Sequence, residues 1–146
     1  MTLTPDEMRQ GTKDFYAAMD DKDLDGLLGM IDDSLVEHQS MPGVPPGKEG
    51  AKAIFGMMFS AIPDGKNEIL DTVVSGDTIA IRSRSTGTQT GELFGMPATG
   101  KPFSVESIDI VRMNDAGLAT EHWGVMDAMG MMLQTGLVEP PPASAS

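Results

Sequence analysis

The sequence predicts an α+β domain. Segments of helical periodicity occupy the first 62 residues, whereas nearly everything from Lys66 to Met126 alternates or carries β-branched residues. Within that second half, two long runs are joined by Asn114-Asp115-Ala116-Gly117, the chemistry of a hairpin turn, so the sheet should be mainly antiparallel. Helices that precede such a run of strands pack on one face of the sheet.

Each element has a local cause. Thr4-Pro5-Asp6-Glu7 offers an N-cap, a proline at the first helical position and acids in the first turn, which starts a helix. Met8, Thr12, Phe15, Ala18 and Met19 then recur at helical spacing until Asp20-Asp21-Lys22-Asp23 breaks the pattern. Leu24 to Ile31 reads as a short second helix, and Leu35-Val36-Glu37-His38 as a short strand. Met41 to Gly47 holds too much Pro and Gly for regular structure. A third helix is expected from Gly50 to Ile62, striped by Ala53, Ile54, Met57, Met58 and Ala61 and stopped by Pro63-Asp64-Gly65.

In the sheet half, Gly76-Asp77 is a two-residue turn that sets Val73 opposite Ala80 and Asp71 opposite Arg82. The Thr- and Gly-rich run from Thr86 to Gly100 is a wide connection into the last hairpin. A Met-rich helix, Ala128 to Gln134, follows it. Residues 1–138 form one domain, and the Pro/Ser/Ala segment 139–146 should be a mobile tail.

Composition narrows the function. A formal net charge of −12 with scattered Lys and Arg opposes nucleic acid and anionic membrane surfaces as partners. The absence of cysteine removes disulfides and thiolate metal sites. The N-terminal residues lack the basic start and apolar run of a signal peptide, and no apolar stretch is long enough to cross a bilayer, so a cytoplasmic location is expected. Two histidines among scattered acids make no metal motif, and neither a glycine-rich phosphate loop nor a nucleophile elbow occurs.

The last hairpin carries the chemistry. A turn of even length places Met113 opposite Leu118 and, counting back, Asp109 opposite His122, with Cβ atoms roughly 5 Å apart. One face then holds Val105, Asp109, Val111, His122, Gly124 and Met126, and the other Ile108, Ile110, Trp123 and Val125. An acid inside a strand is costly unless partnered, and an imidazole oriented by a carboxylate can serve as a general base. Because both faces are partly apolar and the helices cover only one, a second copy of the chain is expected on the other, a homodimer through Ile108, Ile110, Trp123 and Val125.

The segment Thr86-Gly-Thr-Gln-Thr-Gly-Glu-Leu-Phe-Gly-Met-Pro-Ala-Thr-Gly-Lys-Pro-Phe-Ser-Val-Glu-Ser-Ile-Asp-Ile-Val-Arg112 resembles the SnoaL-like polyketide cyclases of the nuclear-transport-factor-2-like superfamily. So do Glu121-His-Trp-Gly-Val-Met-Asp127, Asp23-Leu-Asp-Gly26, Val36-Glu37-His38 and Pro45-Pro-Gly-Lys-Glu-Gly50. The resemblance implies a curved antiparallel sheet covered by three N-terminal helices, with a short C-terminal helix. The hollow of this cone is the binding site, and dimers form through the outer sheet face.

Position by position, the resemblance places the cyclases' catalytic aspartate at Gly124 and their pocket histidine at Asp109. Similarity to the related ketosteroid isomerases places the general base at His38 and the oxyanion-hole acid at Asp109. The isomerase tyrosine falls at Phe15, with Tyr16 turned elsewhere.

Together these readings predict an enzyme without a cofactor that moves protons on an apolar, carbonyl-bearing small molecule. His122 held by Asp109, or else His38, would be its base. Phe15, Phe55, Met58, Phe59, Val111, Gly124 and Met126 would line the pocket, with Arg82 and Arg84 as anchors. The alternatives are an epoxide hydrolase of the limonene-epoxide-hydrolase type built on Asp71, Arg82 and Asp109, and a non-catalytic small-molecule-binding domain.

Overall fold

A computed structural model describes residues 2–39 and 41–143. The elements run α1 (Pro5–Asp20), α2 (Leu24–Leu28), β1 (Ile31–Glu37), α3 (Gly47–Ala61), β2 (Lys66–Ser75), β3 (Thr78–Thr88), β4 (Pro102–Met113), β5 (Ala119–Met126) and α4 (Ala128–Thr135). Of the expected tail, residues 139–143 are exposed without regular structure, and 144–146 lie outside the described residues. Among the described residues no helix is long and apolar enough to cross a membrane.

The helix α1 starts as expected, with a reciprocal capping box in which Thr4 accepts from Glu7 N–H and the Glu7 carboxylate accepts from Thr4 N–H. It turns Met8, Thr12 and Ala18 into the core. The second helix is shorter than its periodicity suggests, because from Ile31 onward the backbone pairs with β5 instead. Sheet hydrogen bonds there override the helical spacing of Met30 and Ile31. Ala53, expected in the α3 stripe, is exposed; Ala61 of that stripe is buried.

The five strands follow the order β1-β5-β4-β3-β2, antiparallel except for the parallel β1–β5 pair at one edge. The Gly76-Asp77 turn sets Val73 opposite Ala80 and Asp71 opposite Arg82, as read from its length, and a bulge follows between Ile69 and Asp71.

The last hairpin departs from expectation. Asn114 Oδ1 accepts from the N–H groups of both Ala116 and Leu118, which widens the turn so that Met113 pairs with Ala119 and not with Leu118. A bulge at Thr120 then moves the ladder by one more residue, to Arg112 opposite Glu121 and Asp109 opposite Gly124. One such step would turn every side chain to the other face; two restore the original faces. The division of β4 and β5 into an inner and an outer face therefore stands, although the register differs.

On the inner face, Met8, Ile79 and Ile81 form one buried cluster, against which Tyr16, Ile69, Val111 and Met113 pack. Ala61, Ile62, Leu93, Phe103, Val105 and Met131 form a second, beneath α3 and α4. The outer face leaves Val36, Val73, Ile108, Ile110 and Val125 exposed.

Candidate active site

A cluster of polar side chains crosses the inner face from β1 to β4. Val36 and Glu37 pair in parallel register with Glu121 and His122, so Glu37 shares its face with His122. The His122 ring is bound at both nitrogens: Nδ1 lies 2.7 Å from Glu37 Oε2 and 2.8 Å from Oε1, and Nε2 lies 2.8 Å from Asp109 Oδ1. Asp109 reaches His122 diagonally across the ladder, since the residue directly opposite Asp109 is Gly124.

That glycine makes the diagonal possible. A Cβ at position 124 would stand 2.6 Å from Asp109 Oδ1, 2.6 Å from Gln39 Oε1 and 3.0 Å from His122 Cε1. The Asp109 carboxylate lies over the space that a side chain on Gly124 would fill. At the position that the resemblance assigns to the cyclases' aspartate, a side chain would have to displace the Asp109 carboxylate and the Gln39 amide.

The three side chains are about three-quarters buried, with 22% of His122, 22% of Glu37 and 25% of Asp109 exposed. Burial alone would make the imidazolium shed its proton, but hydrogen bonds and charge from Asp109 and Glu37 outweigh it and raise the His122 pKa to about 9. At neutral pH the ring is therefore a cation donating from both nitrogens. It has no lone pair with which to act as the expected base. Oδ1 of Asp109 accepts from His122, whereas Oδ2 makes no hydrogen bond among the described residues.

From α1, Tyr16 joins this wall. Burial, only partly offset by a hydrogen bond to Ser83 and reinforced by the charge of Asp109, pushes its phenol up to about 12. It stays protonated and able to donate. Its inward position corrects the expectation that Tyr16 turns away. Next to it Phe15 meets Phe55 edge-on at 5.8 Å, and Phe55 leads to Phe59 at 6.2 Å. Met58 and Phe59 line a shallow cleft, open to solvent, with Met19, Lys22, Asn67, Ser85 and Phe103. On β3 and β4 the cleft residues Ser85 and Phe103 lie four and six residues from Ile81 and Asp109, which pair with each other, so this cleft opens toward the other end of the sheet.

Other expected site residues lie elsewhere. His38 follows Glu37 on β1 and so faces outward, where it stacks on Trp123 at 4.6 Å and contacts Glu121 at 2.9 Å. Arg82 and Arg84 also lie on the outer face, opposite Ile108 and Glu106, with Arg82 bonded to Glu106 and Arg84 near Glu68. Asp71 sits opposite Arg82 on that face, so Asp71, Arg82 and Asp109 do not converge as epoxide hydrolysis would require. Val111 packs into the Met8–Ile79–Ile81 core, and Met126 ends β5 exposed. Glu37, Gln39 and Tyr16 are the site residues that the sequence reading missed. One signal for Glu37 was available: strand alternation from the apolar Leu35.

Fold and site define a class of small α+β domains in which helices close over one face of a sheet and a polar cluster sits on that otherwise apolar wall. The chain belongs to the SnoaL-like polyketide cyclase family, whose model matches residues 9–135. Among solved structures it is similar to TsrD from Streptomyces laurentii, 32% identical, with a TM-score of 0.84 over 93% of this chain and 99% of that one. IdmH from Streptomyces antibioticus is 29% identical, with a TM-score of 0.76 over 89% of this chain and 99% of that one. A SnoaL-like polyketide cyclase from Agrobacterium tumefaciens shares the fold at 18% identity, with a TM-score of 0.73 over 87% of this chain and 96% of that one. No curated protein sequence matches the chain.

Proposed function

We propose that the protein is an acid–base enzyme of the polyketide cyclase type, acting without a cofactor on a largely apolar small molecule that carries carbonyl groups. The observation that supports this most directly is the Asp109 carboxylate, with Oδ1 held by the His122 imidazolium and Oδ2 without a hydrogen bond among the described residues. Asp109 takes a proton from the carbon next to a substrate carbonyl. The Tyr16 phenol donates to the enolate oxygen that develops, and the His122 charge stabilises the anion. In ring closure the enolate carbon bonds to a second carbonyl carbon of the same molecule, and Asp109 returns its proton to the new alkoxide. Phe15, beside Tyr16, supplies apolar contact near this wall and begins an aromatic run through Phe55 to Phe59.

The test is deuterium exchange at the activated carbon, followed by NMR on a panel of 1,3-dicarbonyl compounds, with cyclisation read by mass spectrometry. Asp109→Asn should lower exchange by about 10²–10⁴-fold. Full exchange in that variant would remove Asp109 as the base. Tight ligand binding with no exchange in the unaltered protein would favour the binding-domain reading.

We also propose a homodimer through the outer sheet face. Val73, Ile108 and Val125 stand 62%, 50% and 68% exposed there, which is a large apolar area for a sheet surface facing water. Arg82, Arg84 and Arg112 alternate with Glu106, Glu68 and Glu121 around them, giving both signs of charge for a self-complementary contact. Sedimentation velocity on Ile108→Asp with Val125→Asp should show a monomer where the unaltered chain is dimeric.

A further inference from the structure

We infer that Glu37 is a positioning residue for this site: by occupying His122 Nδ1 it keeps the ring doubly protonated and commits Nε2–H to Asp109. The inference rests on the reading of Asp109 as the base and goes beyond it, by naming the residue that determines which oxygen of Asp109 can do that work.

The geometry carries it. Both Glu37 oxygens lie within 2.8 Å of Nδ1, and the backbone N–H of Gln39 donates to Glu37 Oε1 at 2.8 Å, so the carboxylate is itself anchored. A neutral imidazole has one donor and one acceptor nitrogen. Placed between two carboxylates, it would point its lone pair at one of them. Only the imidazolium satisfies both. With Glu37 present, Nε2–H always faces Asp109 Oδ1, and Oδ2 is the oxygen left to take a proton. Without Glu37, the ring could lose its proton or turn, and Oδ1 would no longer be reserved.

The groups that face His122 are few. Among the described residues they are Glu37 from β1, the neutral Gln39 just beyond it and Asp109 from β4; Tyr16 of α1, which feels the charge of Asp109, is kept neutral by burial. Glu121, Arg112 and His38 form their own cluster on the other face. Two carboxylates therefore act on one ring, and removal of either should be visible in its titration.

The experiment is a pH titration of the imidazole ¹⁵N and ¹H resonances in the full chain, with His38 as internal reference. In the unaltered protein both His122 ring nitrogens should be protonated at neutral pH. Glu37→Gln, nearly isosteric, should lower the midpoint by about one to two pH units, and Glu37→Asp by less. A neutral His122 ring in the unaltered protein near pH 7, or a Glu37→Gln midpoint within about 0.3 units of the original, would overturn the inference. The first of these outcomes needs no variant to fold. The titration also needs no substrate, so its failure is distinct from failure of Asp109 as the base, which the exchange assay reads.

Discussion

Two Glu–His pairs join the same two strands, one on each side of the sheet. Consecutive residues Glu37 and His38 on one chain segment meet Glu121 and His122 on the other, crosswise: Glu37 with His122 inside, and His38 with Glu121 outside. The contact distances are alike, 2.7 Å and 2.9 Å. Surroundings separate them. The inner ring is 22% exposed and held by two carboxylates, whereas the outer ring is 40% exposed and shares its one carboxylate with Arg112. An ion pair in water is screened and worth little, while on the inner face two carboxylates together outweigh the cost of burial and hold the ring as a persistent cation. Residue type and spacing alone do not make a site.

The largest expected effect that sharpens this contrast is on activity. Asp109→Asn should abolish most exchange, while His38→Gln should leave turnover within about twofold, because its ring stacks on Trp123 and meets Glu121 on the outer face.

Next in size is stability. His122→Ala leaves Glu37 and Asp109 facing each other without their cation, and urea denaturation should show a loss of about 2–4 kcal/mol. His38→Ala should cost less than about 1 kcal/mol. The pH dependence has a definite sign. His122 binds its proton more tightly folded, near 9, than unfolded, near 6.5. Its contribution is complete below about 6.5 and is lost as pH rises through about 9. Denaturation midpoints should fall across that window, and the fall should be absent in His122→Ala.

Gly124→Ala tests the diagonal contact. Its methyl would displace the Asp109 carboxylate, costing about 1–3 kcal/mol and lowering the His122 titration midpoint in the same NMR experiment. An unchanged midpoint would mean that Asp109 finds another route to the ring. Smallest is Tyr16→Phe, which keeps the packing against Met8 and Ile81 while removing the phenol donor. Exchange should fall about 10²-fold at most, with stability changed by about 1 kcal/mol or less.

The division of β4 and β5 into two faces was legible because alternation is a property of each strand by itself. The Gly76-Asp77 register was legible too, since a two-residue turn leaves one pairing. The Asn114 turn was not, because its side chain takes two backbone donors and a bulge follows. Asp109 and His122 still met, by diagonal contact, because two one-residue shifts cancel in parity.

Glu37 and Tyr16 stayed hidden for other reasons. The β1–β5 pairing joins residues 85 apart in parallel, with no connecting turn to set its register. In β1, Leu35 and Val36 are both apolar, which left open whether Glu37 or His38 faces inward; Leu35 is buried and Val36 is 52% exposed. In α1 the apolar stripe runs through Phe15, while Tyr16 lies inward by packing on the Met8–Ile79–Ile81 cluster, a contact with strands far along the chain.

By itself, then, the sequence determined the order of helices and strands, the two-sided character of the last hairpin and the presence of an acid and an imidazole on its inner face. These follow from periodicity and turn chemistry, which act over a few residues. Tertiary structure alone decided that the imidazole is a cation, that Glu37 holds it, that Gly124 yields its space to Asp109 and that His38 belongs to the opposite surface. Charge state and partner depend on burial and on neighbours brought from distant segments, and no local pattern encodes them.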